Sequence, residues 1–534
     1  MAEQSDLIFV GGRVHTVNAG NDIVEAVAVR DGRIVARGSN AEVRADARPG
    51  SRVVELNGRS LLPGFHDAHG HFTGVGSSMT SIDCKAPGMQ SIRALQEAVR
   101  LRAATQPPGT WIRGRGYDQS RLAELRHPNK YDWDAVAPQH PLIFGRTCGH
   151  ISSVNSKALA LAGVSNETPD PAGGRFDRAD GHLTGVCFET AQNALQGVSA
   201  LGREEIRASL LRANDAYLAA GCTTVHDAAG LVGPAFVPAQ DLVEAGQIKV
   251  RLYAFTTVNA VTSPLMGIFG TGLHTGLGND RLKLGAFKVM TDGSSSGPTA
   301  STRQPYSSSS DDFGILYWSQ DELDELIGRA HRQGFQCTVH AVGDRAIEQT
   351  LNAMARAQAE YPREGIRHRI EHCAICPPDL QRRVKAQGIV PAMQPAFFWE
   401  FGDGYIANYG QERADTMFPA KSLIDMGVPV AGSSDAPVTD YRPLFGIEQA
   451  MTRATNGGQV CGPHERVDLT AAIRMHTING AYASFDEKKK GSIEVGKFAD
   501  LVLLGEDISR VPAAGVRNIP VAMTVVDGEV VYES

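Results

Sequence analysis

The chain has 534 residues, of which 42% are hydrophobic and 21% are charged, the balance of an ordinary globular protein. This composition excludes fibrous and disordered classes. With 52 basic and 59 acidic residues the formal net charge is −7, so the sequence carries no basic field of the kind that binds nucleic acid or an anionic membrane. We therefore expect a small-molecule substrate, no nucleic acid and no membrane partner.

Cysteine usage and the first residues indicate a reducing compartment. The eight cysteines are scattered along the chain and are too few for a disulfide framework. The opening segment, Met1 to Asp6, lacks the basic start and the apolar run of a signal peptide. No apolar run approaches the roughly 18 residues that mark a membrane-spanning helix. We expect a cytoplasmic protein.

Short β-prone runs occupy both ends of the chain. Residues 7–10, 26–29 and 34–36 form one group, with an Asp31-Gly32 hairpin signal between the last two runs. Residues 499–504 and 521–526 form a similar group near the other end. Neither group can bury a strand face alone. We predict that residues 1–60 and 485–534 pair into one composite β domain.

Between these ends, residues 61–484 alternate apolar strand-like runs with helix-periodic segments, which is typical of a parallel β/α architecture. There are eight strand candidates, the number that a closed (β/α)8 barrel requires. They lie at residues 61–63, 223–226, 250–255, 282–290, 336–340, 368–372, 389–393 and 429–433. The stretch of about 75–215 is too long for a first βα connection, so we assign it to an inserted subdomain.

Metal-ligand residues follow several of these strands at their C-terminal ends. His69 and His71 are two apart in extended chain and therefore point to the same side. His340 and His372 each end a predicted strand, and Asp435 follows another. Because all strand ends of this kind open on one face of a barrel, the set predicts a divalent-metal site there. Zinc is the expected ion, since it suits imidazole and carboxylate ligands.

Lys288 lies inside the apolar strand at residues 282–290. A lone buried ammonium is costly, so this lysine is expected to be ion-paired or chemically modified. The modified form would be a lysine carboxylated by CO₂, whose carboxylate bridges two metal ions. The residues therefore leave open whether the chain binds one ion or two.

Together these residues resemble the amidohydrolase superfamily over nearly the whole chain. The shared features are the His69 and His71 pair, Lys288, His340, His372, Asp435 and the ending from Gly491 to Leu501. Narrower motifs, including Gly149-His150, Thr168-Pro169-Asp170-Pro171 and Ser434-Asp435-Ala436-Pro437, are similar to amidohydrolase family 3, the YtcJ-like branch that includes N-substituted formamide deformylases. The resemblance implies a distorted (β/α)8 barrel beside a small β-sandwich built from both termini.

The resemblance also implies an activity: hydrolysis of the C–N bond of an N-substituted formamide or other N-acyl amine by metal-bound hydroxide. The implied ligands are His69, His71, Lys288 if carboxylated, His340 and His372, with Asp435 touching one metal. Asp435 is the candidate general base and acid. His150 is the candidate donor to the developing oxyanion.

Substrate-pocket candidates come from two places in the chain. Tyr117 and Glu189 belong to the predicted insert, whereas Phe397, Phe398 and Trp399 follow the seventh predicted strand. An aromatic pocket favours aryl or alkyl amides over strongly charged substrates.

Two other functions and the assembly stay open at this stage. The same site would serve a cyclic amide, a carbamate or an aminohydrolase substrate. A catalytically silent metal-binding or small-molecule-binding barrel is the alternative from another class, and the complete set of ligands argues against it. A homodimer is one option for the assembly.

Overall fold

Eight parallel strands form the centre of the computed structural model, which describes residues 6–258 and 263–534. In chain order they are β1 Phe65–Gly70, β2 Cys222–Asp227, β3 Arg251–Val258, β4 Leu282–Met290, β5 Cys337–Ala341, β6 Arg369–His372, β7 Val390–Met393 and β8 Ala431–Gly432. The segment after β8 joins the end of β1 through the Asp435 N–H, which donates to the His69 carbonyl at 2.7 Å. The predicted (β/α)8 barrel is therefore confirmed.

The expectation that residues 61–63 open the barrel is wrong. These residues lie in the strand Ser60–Pro63, which pairs with Arg13–His15 and Leu501–Leu504 in a terminal sheet. The barrel begins instead at Phe65. β1 carries two histidines and an aspartate, although all of its residues are buried. These polar residues hide its strand pattern, so the apolar pair Leu61-Leu62 was the stronger strand signal.

Strands from both ends of the chain form two sheets beside the barrel. The four-stranded sheet contains Leu7–Val10, Ala26–Arg30, Arg33–Gly38 and Arg52–Glu55. The six-stranded sheet contains Arg13–His15, Ile23–Val24, Ser60–Pro63, Leu501–Leu504, Val521–Val526 and Glu529–Glu533. Arg251 at the start of β3 donates to the Asp500 carboxylate at 2.7 and 2.9 Å, so a buried ion pair fixes the six-stranded sheet to the barrel.

A third sheet lies between β1 and β2 in the chain. Its six strands are Ile82–Asp83, Ile112–Tyr117, Leu142–Arg146, Ile151–Val154, Gly174–Ala179 and His182–Glu189. Its longest helix, Ile92–Ala103, packs on this sheet through Leu95 and Val99. We call residues 82–196 the insert. The helix Arg203–Ala219 that follows leads directly into β2.

Helices surround the barrel in most of the connections between strands and in the segment after β8. The principal ones are Phe72–Ser78, Arg203–Ala219, Phe236–Glu244, Gln320–Arg332, Asp344–Glu360, Pro378–Ala386, Phe397–Tyr409, Ala420–Asp425, Pro443–Thr452, Leu469–Met475 and Ile478–Ala483. Within residues 6–258 and 263–534, no helix is both long and apolar enough to cross a membrane. All eight cysteines fall in these ranges, and each is buried and free of a disulfide bond. The segment Met1 to Ser5, which bears on the signal-peptide prediction, lies outside the described residues.

Two buried histidines, His331 and His368, form a chain of hydrogen bonds at the N-terminal end of β5. The Cys337 N–H donates to His368 Nδ1 at 2.9 Å, His368 Nε2 lies 2.9 Å from His331 Nδ1, and His331 Nε2 lies 2.7 Å from the Tyr361 carbonyl. Every ring nitrogen of His331 and His368 has a hydrogen-bond partner only if both rings are neutral. Burial lowers the pKa of His368 to about 3.

We expect this pair to make the protein less stable in acid. An unfolded histidine takes up a proton below a pH of about 6.5, whereas folded His368 stays neutral down to a pH of about 3. Within that window the free energy of unfolding therefore falls by up to about 1.4 kcal/mol for each pH unit. Urea unfolding at several pH values measures the slope. His368→Asn should flatten it, because asparagine can accept from Cys337 without titrating. Exposed His464 supplies the control His464→Asn, and equal slopes in both variants would contradict the prediction.

Candidate metal centre and active site

The structure brings the first and last predicted ligands together at the C-terminal face of the barrel. One carboxylate oxygen of Asp435 lies 2.9 Å from His71 Nε2 and 3.4 Å from His69 Nε2. Lys288, in β4, places its Nζ 3.3 Å from the same His69 nitrogen. The three ligand atoms of His69, His71 and Asp435 all lie within 4.8 Å of one another, which is close enough to share one ion.

The other two predicted ligands continue this cluster. The His340 and His372 rings, from neighbouring strands β5 and β6, have centroids 4.5 Å apart. The His372 centroid lies 5.0 Å from that of His69. All the predicted ligands are thus neighbours on one face of the barrel, although they come from β1, β4, β5, β6 and the loop after β8.

The four imidazoles share one arrangement: each uses its outer nitrogen on an oxygen acceptor that lies outside the cluster. The pairs are His69 Nδ1 with the Glu371 carboxylate, His71 Nδ1 with the Ala229 carbonyl at 3.3 Å, His340 Nε2 with the Gly293 carbonyl at 3.1 Å, and His372 Nδ1 with Gln394 Oε1 at 2.8 Å. An acceptor fixes the proton on the nitrogen that faces it. The lone pairs of the inner nitrogens are therefore available to a metal ion.

This arrangement fits a divalent cation. The inner nitrogens of His69 and His71 face an oxygen of Asp435. These nitrogens and this oxygen are all hydrogen-bond acceptors, so a positive charge between them is needed to offset their repulsion. Imidazole nitrogen and carboxylate oxygen are ligands that zinc takes in catalytic sites. The described residues thus supply both the donor atoms and the outer hydrogen bonds of a metal centre.

Asp435 is held as a carboxylate in an unusual backbone conformation. Burial alone would raise its pKa, whereas positive charge at His69 and His71 lowers it well below its ordinary value; with both rings neutral, a bound cation would supply that charge. The residue has a φ of +55°, and His372 has a φ of +71°. Left-handed backbone at non-glycine residues costs about 1–3 kcal/mol each and is concentrated at functional sites.

The group that orients His69 is not among the residues predicted from the sequence. Glu371 is fully buried, contacts His69 Nδ1 and accepts from Arg369 Nε at 2.8 Å. Arg369 also reaches the Ala68 carbonyl at 2.6 Å and His226 Nδ1 at 2.9 Å. Two opposite charges within β6, where only apolar residues are expected, were the available signal.

Two further buried carboxylates hold the site together and were also missed. Asp67 accepts from the Ser434 N–H at 2.9 Å and the Tyr217 hydroxyl at 3.1 Å, which links β1 to the loop before Asp435. Asp292 accepts from backbone N–H groups of three residues, and burial raises its pKa to about 7. Aspartate directly after an apolar strand was the signal for Asp292.

His150 and Glu189 reach the cluster from the insert. The His150 ring centroid lies 5.8 Å from that of His340, and His150 Nδ1 lies 2.7 Å from a Glu189 oxygen. Burial alone would lower the pKa of His150, but the Glu189 carboxylate raises it to about 9. Glu189 also accepts from Thr299 at 2.8 Å and from the Tyr317 hydroxyl at 2.9 Å, so one carboxylate ties the insert to the loop after β4.

Of the predicted aromatic residues, only Phe397 reaches the metal centre. Its ring stacks on His372 at 5.9 Å with an interplanar angle of 19°. Phe398 is buried under the Arg453 guanidinium, and Trp399 packs against Arg517 on a separate cavity of about 540 Å³. Consecutive residues of a helix point about 100° apart, so one of the three can face the site.

Tyr117 is another correction, because it does not line a pocket. Its side chain is fully buried in the core of the insert, beside Trp133 and Phe144. Its hydroxyl lies 3.1 Å from His127 Nδ1. Tyr117 therefore stabilises the insert instead of contacting a substrate.

Comparison with known proteins identifies the family of this chain. Residues 52–532 match a model described as the amidohydrolase family. The chain is 30% identical to an N-substituted formamide deformylase of Arthrobacter pascens, covering 100% of this chain and 99% of that protein. It is also 30% identical to the putative amidohydrolase YtcJ of Bacillus subtilis, covering 98% and 99% of the two chains.

A solved structure extends the similarity to the fold. An uncharacterized metal-dependent hydrolase from Pyrococcus horikoshii superimposes with a TM-score of 0.79 at 25% sequence identity, covering 95% of this chain and 99% of that chain. The family match spans the barrel, the insert and the parts of the terminal sheets that follow residue 51. The chain therefore belongs to the amidohydrolase family of metal-dependent hydrolases.

Proposed function

We propose that this protein hydrolyses the C–N amide bond of a small molecule, with an N-substituted formamide or another N-acyl amine as substrate. The observation that carries the proposal is the cluster of inward-facing imidazole lone pairs around the Asp435 carboxylate at the C-terminal face of the barrel. Similarity to the Arthrobacter pascens deformylase over the whole chain supports the formamide class.

Zinc is the proposed ion, held by His69, His71, His340, His372 and Asp435, and also by Lys288 if that lysine is carboxylated. A bound divalent cation would polarise the substrate carbonyl and lower the pKa of a coordinated water. The carboxylated lysine would add a carboxylate ligand and so allow a second ion, whereas a single ion would not need it. Lys288 Nζ lies 3.3 Å from His69 Nε2, beside the ligands that it would join.

Asp435 is the residue that transfers protons in this proposal. As an ionised carboxylate it can take a proton from the attacking water and pass it to the leaving nitrogen, which cannot depart as an amide anion. His150 Nδ1 is occupied by Glu189, so its Nε2 is the nitrogen left to donate to the carbonyl oxygen as negative charge develops there. Phe397 would pack against the substrate beside His372.

The proposal is tested by amine release from N-formyl and N-acetyl derivatives of the same amines. We expect release by the zinc-loaded protein and none after chelation, with the formyl derivatives cleaved faster. Product analysis on a cyclic amide and a carbamate of similar size runs alongside. Chelator-sensitive turnover of those compounds with no release from any linear amide would contradict the proposed substrate class.

Glu189→Gln should lower kcat/KM about 10- to 100-fold. Glutamine keeps the size of the side chain but cannot supply a negative charge to His150 while accepting from Thr299 and Tyr317. One hydrogen bond to a charged group contributes about 1.5–3 kcal/mol, which corresponds to that factor. The measurement is steady-state amine release. Exposed Glu167 on the insert provides the matched control Glu167→Gln, and equal rates in the two variants would contradict a role for Glu189.

A further inference from the structure

A cavity of about 280 Å³ opens beside the metal centre, between the insert and the end of β4. Its lining includes His150, Tyr317 and Met290. Met290 pairs in register with the predicted ligand His340, and the His150 ring lies 5.8 Å from the His340 ring. The cavity therefore reaches residues that adjoin the predicted ligands, and its size suits a small molecule.

The lining of this cavity is almost free of charge. Only His150 and Glu189 among its lining residues are ionisable in the physiological range, and they pair with each other at 2.7 Å. Ile143 and Leu195 form apolar wall, while Gln192 and Gln196 add neutral amides. Two larger cavities, of about 540 and 440 Å³, are each lined by three arginines, so this neutrality is a property of one cavity and not of the surface as a whole.

We infer that this cavity binds the substituent on the nitrogen of the substrate and selects substituents that are uncharged. The inference rests on the proposed function. A formyl group is a single carbon atom, so the amine side is the part of a formamide that needs a cavity of this size. An apolar wall with neutral amides near it suits a carbon chain or ring that ends in a hydroxyl or a carboxamide.

A charged substituent would lack a partner there. The cation of His150 is already paired with Glu189, and no other ionisable side chain lines the cavity in the part of the chain that the structure describes. Taking a charge out of water without a partner costs several kcal/mol when burial is complete. Because this cavity is open to solvent on one side, we expect a smaller penalty, of about 30-fold in affinity.

The test compares two probes that differ in charge and little else: N-formyl-γ-aminobutyramide and N-formyl-γ-aminobutyrate. Isothermal titration of the zinc-loaded protein should show that the neutral amide binds about 30-fold more tightly than the carboxylate. Equal affinities would overturn the inference. Binding is measured at low temperature and over short times, and amine release is followed separately.

One pair of variants locates the effect in the cavity. Gln196 and Ala194 are both exposed and lie on the same short helix, Asn193–Gln196, but only Gln196 lines the cavity. Gln196→Arg should improve carboxylate binding at least about tenfold, because it adds a cation to the lining of the cavity. Ala194→Arg adds the same charge outside the cavity and should leave the preference unchanged. Equal shifts in both variants would overturn the assignment to this cavity.

The amine-release assay separates this inference from the proposed function. Binding with the expected preference but no amine release would count against amide hydrolysis while supporting the cavity. Release from both probes at equal kcat/KM would support amide hydrolysis and overturn the selection by charge.

Discussion

Asp435→Asn is expected to lower kcat for amide hydrolysis by about 10²- to 10⁴-fold, the range that general acid–base catalysis contributes. Asparagine cannot take a proton from water or return one to the leaving nitrogen. It should nevertheless fold, because the Asp435 N–H still donates to the His69 carbonyl and asparagine tolerates the φ of +55°. Steady-state amine release at saturating zinc gives kcat.

Metal content and unfolding by urea show whether this variant is otherwise intact. Exposed Asp321 provides a control of the same chemistry, Asp321→Asn, which should keep full activity. A kcat for Asp435→Asn within threefold of the wild-type value would contradict the assignment of Asp435 as the group that moves the proton.

Glu371→Gln should have the second largest effect, on stability and on metal affinity together. The change removes one charge of a fully buried ion pair and leaves Arg369 without its carboxylate partner. Breaking a buried pair in this way costs about 3–5 kcal/mol. The change also alters the acceptor that holds the proton on His69 Nδ1, and losing such an outer partner costs about 10- to 100-fold in metal affinity.

Urea unfolding measures the first effect, and competition with a chromophoric zinc chelator measures the second. Exposed Glu364 gives the control Glu364→Gln, for which both values should match the wild type. A Glu371→Gln variant with unchanged zinc affinity would show that His69 does not depend on this carboxylate.

Much of the barrel could be predicted because its strands are apolar and end on polar residues. The strand at residues 282–290 has the bounds of β4, Leu282–Met290, since its apolar residues are interrupted only by lysines and glycine. The predicted ligands could be found because a barrel opens all of these strand ends on one face. β1 was misplaced for the opposite reason, because its site residues interrupt the apolar pattern.

Contacts between residues that are far apart in the chain could not be predicted from the sequence pattern. Glu371 meets His69 across 302 residues, and Glu189 meets Thr299 across 110 residues, so neither pairing appears as a local motif. The direction of a side chain could not be predicted from the sequence either. Phe397, Phe398 and Trp399 are adjacent in sequence but point to different parts of the molecule. Tyr117 looked available for a substrate because its burial depends on how the insert folds.

In our proposal the histidine cluster holds the metal ion on which C–N bond hydrolysis depends. Metal-free protein is titrated with zinc while zinc binding and amine release from an N-substituted formamide are followed in the same samples. We predict that activity rises in step with bound zinc and that His69→Ala with His71→Ala abolishes both. Full activity in the metal-free protein, or activity that survives in the double variant, would show that the cluster does not hold a catalytic metal ion.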